Sequence, residues 1–301
     1  MGKHITLYTE NKMAKISKKN IEEILIEAIE KSETELPKDV INALKKASNI
    51  EKGLARIQLE AILENIKIAS RETIPMCQDT GIMSFYIQTG NKFKYLTDLK
   101  KMLENAVKRA TREIPLRPNT INPFTGKNEN NNTGMNIPHI TWDITKGNEC
   151  TIDILPKGGG SENMSALWML NPGEGIDKAK KLIVEHIKNS GGKPCPPTIA
   201  GIGIGGGADI CMELAKKALL RKIGERHKEK RVAKMEKELF ELINKTGVGP
   251  MGLGGKTTVL DVHIEYAHRH PASFPVGLIL QCWASRRKTI KFTKKSSIKI
   301  I

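Results

Sequence analysis

The chain has 301 residues, 39% of them hydrophobic, and a formal net charge of +16. That length buries a large core, no apolar run approaches the ~20 residues of a membrane span, and the opening MGKHITLYTENK lacks the apolar stretch of a secretory signal. A cytoplasmic globular protein without a membrane partner is therefore expected. The basic excess points first to nucleic acid. Aromatics are only 4% of the chain, however, and no zinc-finger, RNA-recognition or zipper pattern occurs, so small anions or an acidic partner fit the charge better. The basic residues concentrate in KKALLRKIGERHKEKRVAKMEK and in the tail RRKTIKFTKKSSIK. The first stretch also carries Glu225, Glu229, Glu236 and Glu238 and reads as a solvated helical face.

In chain order, the first seventy residues read as helices. Ile21, Ile24, Leu25, Ala28 and Ile29 repeat at helical spacing behind Ser17 as cap. Pro37 opens a second helix with Val40, Ile41, Leu44 and Ala47. Leu54, Ile57, Ala61, Ile62 and Ile66 mark a third. Pro75 ends the helical pattern, MCQDTG forms a turn, and IMSFYIQTG reads as a strand. Leu99, Met102, Leu103, Ala106, Val107 and Ala110 give another helix. Residues 114–139 are irregular, stiffened by prolines at the front and mobile over KNENNN; a run this long is functional or disordered. ECTIDILPKGGGSENMSA reads as a strand and glycine turn. A helix ending at Gly191 and Gly192 follows, and CPPTIAGIGIGGGADICMELAKKALL reads as strand, glycine turn and helix. After the polar helix come TGVGPMGLGGKTT and two strands, TVLDVHIEYA and PVGLILQCWA. The fold class is α/β or α+β: a helical N-terminal region followed by mixed strands and helices with glycine-rich loops.

Two glycine motifs fail their own tests. GIGIGG fits G-x-G-x-x-G, but the acidic residue that a dinucleotide fold wants about 20 positions on would fall in polar, helical KIGERHKEK. GPMGLGGKTT resembles a Walker loop, yet the position five before Gly255 is Pro250. An anion site lined by backbone N–H groups and the close packing of turns both remain open for it.

The five cysteines are odd in number and widely spread, which in a reducing cytosol favours packing, ligation or nucleophilic roles over disulfides. Cys150 and Cys211 fall within apolar strand and helix patterns and read as packing. Cys77 in MCQDTG, Cys195 in KPCPP and Cys282 in LQCWASRR lie beside turn or charged residues and are candidate ligands. Structural zinc takes four protein ligands and an electron-carrying cubane four thiolates. Three thiolates leave one iron open as a Lewis acid. Their separation in sequence does not by itself establish such a centre. A cysteine-ligated protein without turnover is the other class they allow.

CQDTG, KGGGSEN, GIGIGGGAD, GPMGLGGKTT, HRHPASFPVG and QCWASRR occur in this order. In this the chain resembles the α subunits of class I iron–sulfur hydro-lyases, the two-subunit fumarate hydratases and L(+)-tartrate dehydratases, over nearly its whole length. The resemblance implies a [4Fe–4S] cluster on Cys77, Cys195 and Cys282 with one iron not ligated by cysteine. It implies hydration of fumarate to (S)-malate, with tartrate as the alternative substrate. Asp79 is then the proton-transfer residue and His270 an active-site histidine. Gln78, the Arg117 fork and the Gly160 N–H bind the small dicarboxylate. A separate β subunit carries the base that removes the carbon-bound proton. The chain is then one unit over 1–301: helical region 1–72, cluster and substrate-binding core 73–285, basic tail 286–301.

Overall fold

The computed structural model describes residues 17–293 and 298–301. Helix α1 (Lys18–Thr34) begins at Ser17, whose hydroxyl accepts the Asn20 N–H at 3.2 Å. Helices α2 (Lys38–Ile50) and α3 (Gly53–Glu72) follow. In α1 and α2 the buried faces carry the residues that the periodicity picked. In α3 they do not. Its core face is Ala55, Leu59, Ile62, Ile66 and Ala69, while Leu54 and Ile57 are 62% and 56% exposed. Apolar residues occur on both faces of α3, so spacing alone left its orientation ambiguous.

Strand β1 (Ile82–Gly90) leads to α4 (Leu99–Glu113), and after a long loop come β2 (His139–Thr145) and β3 (Cys150–Lys157). A one-turn helix α5 (Gly159–Glu162), strand β4 (Ala166–Leu170) and α6 (Gly175–Ser190) precede β5 (Thr198–Gly206) and α7 (Ala208–Ala218). Helix α8 (Lys230–Asn244), β6 (Val259–Arg269), β7 (Phe274–Gln281), β8 (Lys288–Phe292) and β9 (Ile298–Ile300) complete the order. The result is the expected mixture of helices and mixed sheets. One sheet runs β2-β1-β3-β8-β9, the other β4-β7-β5-β6. Among the described residues only β1 with β2 and β5 with β6 pair in parallel. The described part of the basic tail is thus built into the fold, because Ile290 and Phe292 supply an apolar face beside β3.

Three cores follow from strand alternation. Helices α1 and α4 cover Met83, Phe85, Ile87, Ile152 and Ile154 of the first sheet. Helices α6 and α8 cover Ala200, Ile202, Leu278 and Leu280 of the second. The intervening residues Tyr86, Leu155, Ile199 and Ile279 point the other way, onto α2, α3 and α7, in the core where the sheets meet. The glycines of GIGIGG serve this packing: a side chain at Gly203 would meet the Cys211 carbonyl of α7 at 1.8 Å.

The long basic stretch is not one helix. Residues 219–229 form a loop between α7 and α8, and Glu236 is fully buried rather than solvated. Its carboxylate accepts from Arg221 at 2.7 Å, from the His227 N–H at 3.0 Å and from the Ile264 N–H at 2.9 Å. The KNENNN segment likewise holds an anchor, since Asn132 is 4% exposed. It accepts the Asn119 N–H at 2.6 Å and donates to the Arg117 carbonyl at 3.0 Å. No described helix is long and apolar enough to cross a membrane.

Candidate functional site

Strand pairing gathers the motifs at one end. Strands β1 and β3 are antiparallel with Ile82 opposite Lys157, so the CQDTG turn before β1 meets the KGGGS turn after β3. Strands β5 and β7 are antiparallel with Ile199 opposite Gln281, so Cys195 and Cys282 lie at the same end of the second sheet. The two ends are tied together. The Gln281 amide donates to the Pro156 carbonyl at 3.4 Å, the Trp283 N–H to the Cys195 carbonyl at 3.1 Å, and Arg286 to the Asp79 carbonyl at 3.0 Å. From behind, Asn65 of α3 donates to the Met76 carbonyl at 2.7 Å, holding the residue before Cys77.

The five thiols fall into two classes. Cys77, Cys195 and Cys282 are half-buried, whereas Cys150 and Cys211 are buried. Burial pushes the Cys150 and Cys211 thiols up to about 11, which makes them inert packing. The Cys195 thiol is raised by burial and then by the charge of Cys77. That of Cys282 is raised by burial, against the opposing charges of Arg286 and Lys157. Among the described residues no three His, Cys, Asp or Glu side chains converge on one ion. A cluster makes a different demand, because each thiolate binds its own iron and the ligands stand apart.

Asp79 joins three loops. Its Oδ1 accepts the Gly81 N–H at 2.9 Å and the Asn119 amide at 3.3 Å, and its Oδ2 accepts the Gly159 N–H at 2.7 Å. The turn role of Asp79 is therefore real, but two of its three donors come from distant loops. A Cβ on Gly158 would stand 2.9 Å from Asp79 Oδ2, so a side chain there would push the carboxylate aside. Arg117 is fixed through its backbone: its N–H donates to Thr80 Oγ1 at 3.1 Å, and the Thr80 hydroxyl donates back to its carbonyl at 3.3 Å. The Arg117 side chain is exposed. Gln78 is exposed in the same turn. Gly160 lies in the first turn of α5, where N–H groups lack intrahelical acceptors, beside the Lys193 carbonyl that precedes Cys195. His270 is the exception. It is exposed in the turn between β6 and β7, at the opposite end of β7 from Cys282.

Sequence reasoning missed the buried charges beneath the thiols. Arg286 is 1% exposed and Glu33 fully buried, and they form an ion pair. Burial pushes the Glu33 carboxyl up to about 7 even against that arginine. Burial works to lower Arg286, but Glu33, Cys282 and Cys77 outweigh it and raise it. Lys157 is 4% exposed, donates to Ser161 at 2.7 Å and pairs with Glu162 at 3.2 Å. Arg286 and Lys157 stand inside QCWASRR and KGGGSEN, so charge within those motifs was the available signal. Glu33, in the last turn of an amphipathic helix, gave none.

The model of the family described as "Fumarate hydratase (Fumerase)" matches residues 22–291. The chain is 48% identical over 283 residues to a Methanocaldococcus jannaschii protein named "Putative L(+)-tartrate dehydratase subunit alpha", covering 91% of this chain and 99% of that one. It is 36% identical over 259 residues to the L(+)-tartrate dehydratase subunit alpha of Escherichia coli K12, covering 85% and 86%. The protein of the same name from Shigella sonnei matches equally. The chain therefore belongs to the fumarate hydratase family and is a hydro-lyase of the class I fumarate hydratase and tartrate dehydratase type.

Proposed function

We propose that this chain is the α subunit of a two-subunit, cytoplasmic hydro-lyase that adds water to fumarate to give (S)-malate, and reverses that reaction. Cys77, Cys195 and Cys282 hold its [4Fe–4S] cluster. The donor set fits such a group: of the three half-buried thiols, Cys282 lies near two buried cations, Arg286 and Lys157, and Cys77 near Arg286, while Cys150 and Cys211 are packed away. When bound, the cluster supplies an iron without a thiolate, a Lewis acid for the hydroxyl that is lost or gained.

The observation that carries the reading is the meeting of CQDTG, KGGGS and the Arg117 loop on the Asp79 carboxylate. An ionised carboxylate has about four acceptor sites. Oδ1 takes two donors and Oδ2 one, so Oδ2 keeps a lone pair with which to take or return a proton. The exposed Arg117 guanidinium, on a backbone locked to Thr80, suits a bidentate clamp on a substrate carboxylate. Gln78 and the Gly160 N–H complete the polar contacts to the dicarboxylate. His270, at the far end of β7, acts only at a centre other than that of its own chain. The base that removes the carbon-bound proton comes from the β subunit; the relatives' "subunit alpha" names support a separate partner. Dehydration of L(+)-tartrate is the second reading, favoured by the same names.

The test is anaerobic co-expression with the β subunit and assay of fumarate, malate and L(+)-tartrate, beside each subunit alone. A brown complex absorbing at about 400 nm that turns over fumarate, with little turnover by the α subunit alone, is expected. Turnover of tartrate only selects the second reading. Full turnover by the α subunit alone overturns the two-subunit assignment.

A further inference from the structure

The glycine loop GPMGLGGKTT touches both flanks of Cys195. The Met251 N–H donates to the Pro196 carbonyl at 2.8 Å. On the other flank the chain at Gly192 is so close that a Cβ there would lie 2.7 Å from the Met251 carbonyl. The Cys195 N–H in turn donates to the Gly192 carbonyl at 3.0 Å. Cys195 itself stands at φ +53°, a left-handed conformation that is costly for a non-glycine residue and persists only where the surroundings over-determine it. Whatever fixes this loop therefore fixes the backbone from which the thiol projects.

What fixes it comes from about 200 residues upstream. Glu51, the residue closing α2, is 4% exposed. Its Oε1 accepts the Lys256 N–H at 2.7 Å and the Thr257 N–H at 2.6 Å. A Cβ on Gly255 would stand 2.8 Å from Glu51 Oε2, so the loop closes around the carboxylate. The successive N–H groups that such a turn offers to an anion are thus taken by a carboxylate of the chain itself. This also settles the two uses left open for the loop: its anion seat is filled from within.

We propose that Glu51 is a positioning residue for Cys195, with its carboxylate locking the glycine loop against both sides of the cysteine. The proposal rests on the reading of Cys195 as a ligand only for its consequence. The placement of the thiol is measured without any cluster.

The experiment uses the full-length, metal-free, reduced protein. Iodoacetamide alkylation is followed at each of the five cysteines by peptide mass spectrometry, for wild type, Glu51→Ala and Glu51→Gln. Losing two buried hydrogen bonds should free the loop and speed alkylation of Cys195 about tenfold in E51A, with Cys77, Cys282 and the packed Cys211 changed less than about twofold. E51Q keeps an acceptor oxygen and should stay within about twofold of wild type. If E51A fails to fold by circular dichroism, Glu51→Asp, one methylene short of the loop, is read in the same way. Cys195 alkylation at the wild-type rate in E51A, equal acceleration at all five cysteines, or an E51Q protein as reactive as E51A overturns the proposal. Iron bound by the wild type tests the ligand reading separately: a wild type that binds none while E51A selectively frees Cys195 leaves Glu51 in place and removes the cluster.

Discussion

The two ends of the second sheet are built by opposite rules. At the end carrying Cys195 and Cys282, loops from both sheets are cross-tied, and buried charges stand beneath them: Arg286 on Glu33, and Lys157 on Glu162. At the other end, His268, Arg269 and His270 are exposed. There Arg269 caps nearby carbonyls of His270, Pro271 and Ser273 at 3.0–3.1 Å and lies over the Phe274 ring at 4.9 Å, all within its own turn and strand start. Buried charge is costly unless it is paired and hydrogen-bonded. Of these two ends, the one where the family motifs converge carries that cost; a further buried pair, Glu236 with Arg221, lies against the middle of β6. Between these two ends, polar density under the loops separates the motif-bearing end better than polar residues on the surface do.

The largest expected effects separate the two thiol classes. Cys77→Ser, Cys195→Ser and Cys282→Ser should each abolish the intact cluster after anaerobic reconstitution, read as iron and sulfide per chain. Cys150→Ser and Cys211→Ser should retain it. A C211S protein that folds normally but loses its iron would place the ligand set wrongly. Next come the groups facing the substrate. Asp79→Asn should lower kcat about 10²–10⁴-fold in the two-subunit enzyme, since it removes a proton-transfer group and keeps the shape. Arg117→Ala should act mainly on KM, raising it about 10–100-fold through loss of a charge-assisted pair. Near wild-type kinetics for both would reduce the cross-tied end to scaffolding.

The sequence disclosed some parts of this comparison and not others, for physical reasons. Local signals worked where one residue type decides the outcome. Ser17 capped α1, Pro37 preceded α2, and the loop cysteines separated from Cys150 and Cys211 by the apolar patterns around them. Short strands escaped. HITWDIT carries few apolar residues, and ALWML is an apolar run too short to show a period; pairing with β1 and β7 defines them. The basic tail gave no strand signal because alternation in KTIKF is masked by lysine. Chain-distant contacts were invisible altogether: nothing near Glu33 announces Arg286, and nothing near Glu51 announces Lys256 and Thr257.

A smaller effect follows from Glu33. Its carboxyl is raised from 4.5 to about 7 by burial, so the fold binds its proton more tightly than the unfolded chain does. The associated stability is fully present below pH about 4.5 and is lost as pH rises through about 7. Glu33→Gln removes this titration. Urea midpoints of the metal-free proteins between pH 5 and 8 should therefore show wild type losing on the order of 1–3 kcal/mol relative to E33Q as pH rises. Parallel curves would show that the pair with Arg286 stays ionised throughout.

The smallest effect is expected at the far end. Strand β7 is paired along its length with β4 on one side and with β5 on the other, so it is extended. Its eight residues at ~3.3 Å each put about 25 Å between the His270 turn and Cys282. Charges separated by more than ~8 Å through solvent are largely screened at physiological salt, and no described hydrogen bond links His270 to the thiol loops. Its ring accepts the Ala272 N–H at 3.1 Å, a contact within its own turn. In the metal-free α subunit, His270→Ala should leave the alkylation rates of Cys77, Cys195 and Cys282 within about 20% of wild type, as that screening requires. Iron per chain after reconstitution should be equally unaffected. Activity of the two-subunit enzyme is the contrasting readout: if it falls while iron and thiol reactivity hold, His270 serves a centre that its own chain does not carry. A His270→Ala chain that loses iron, or whose Cys282 changes reactivity, would show that the two ends of β7 are coupled and would end the comparison.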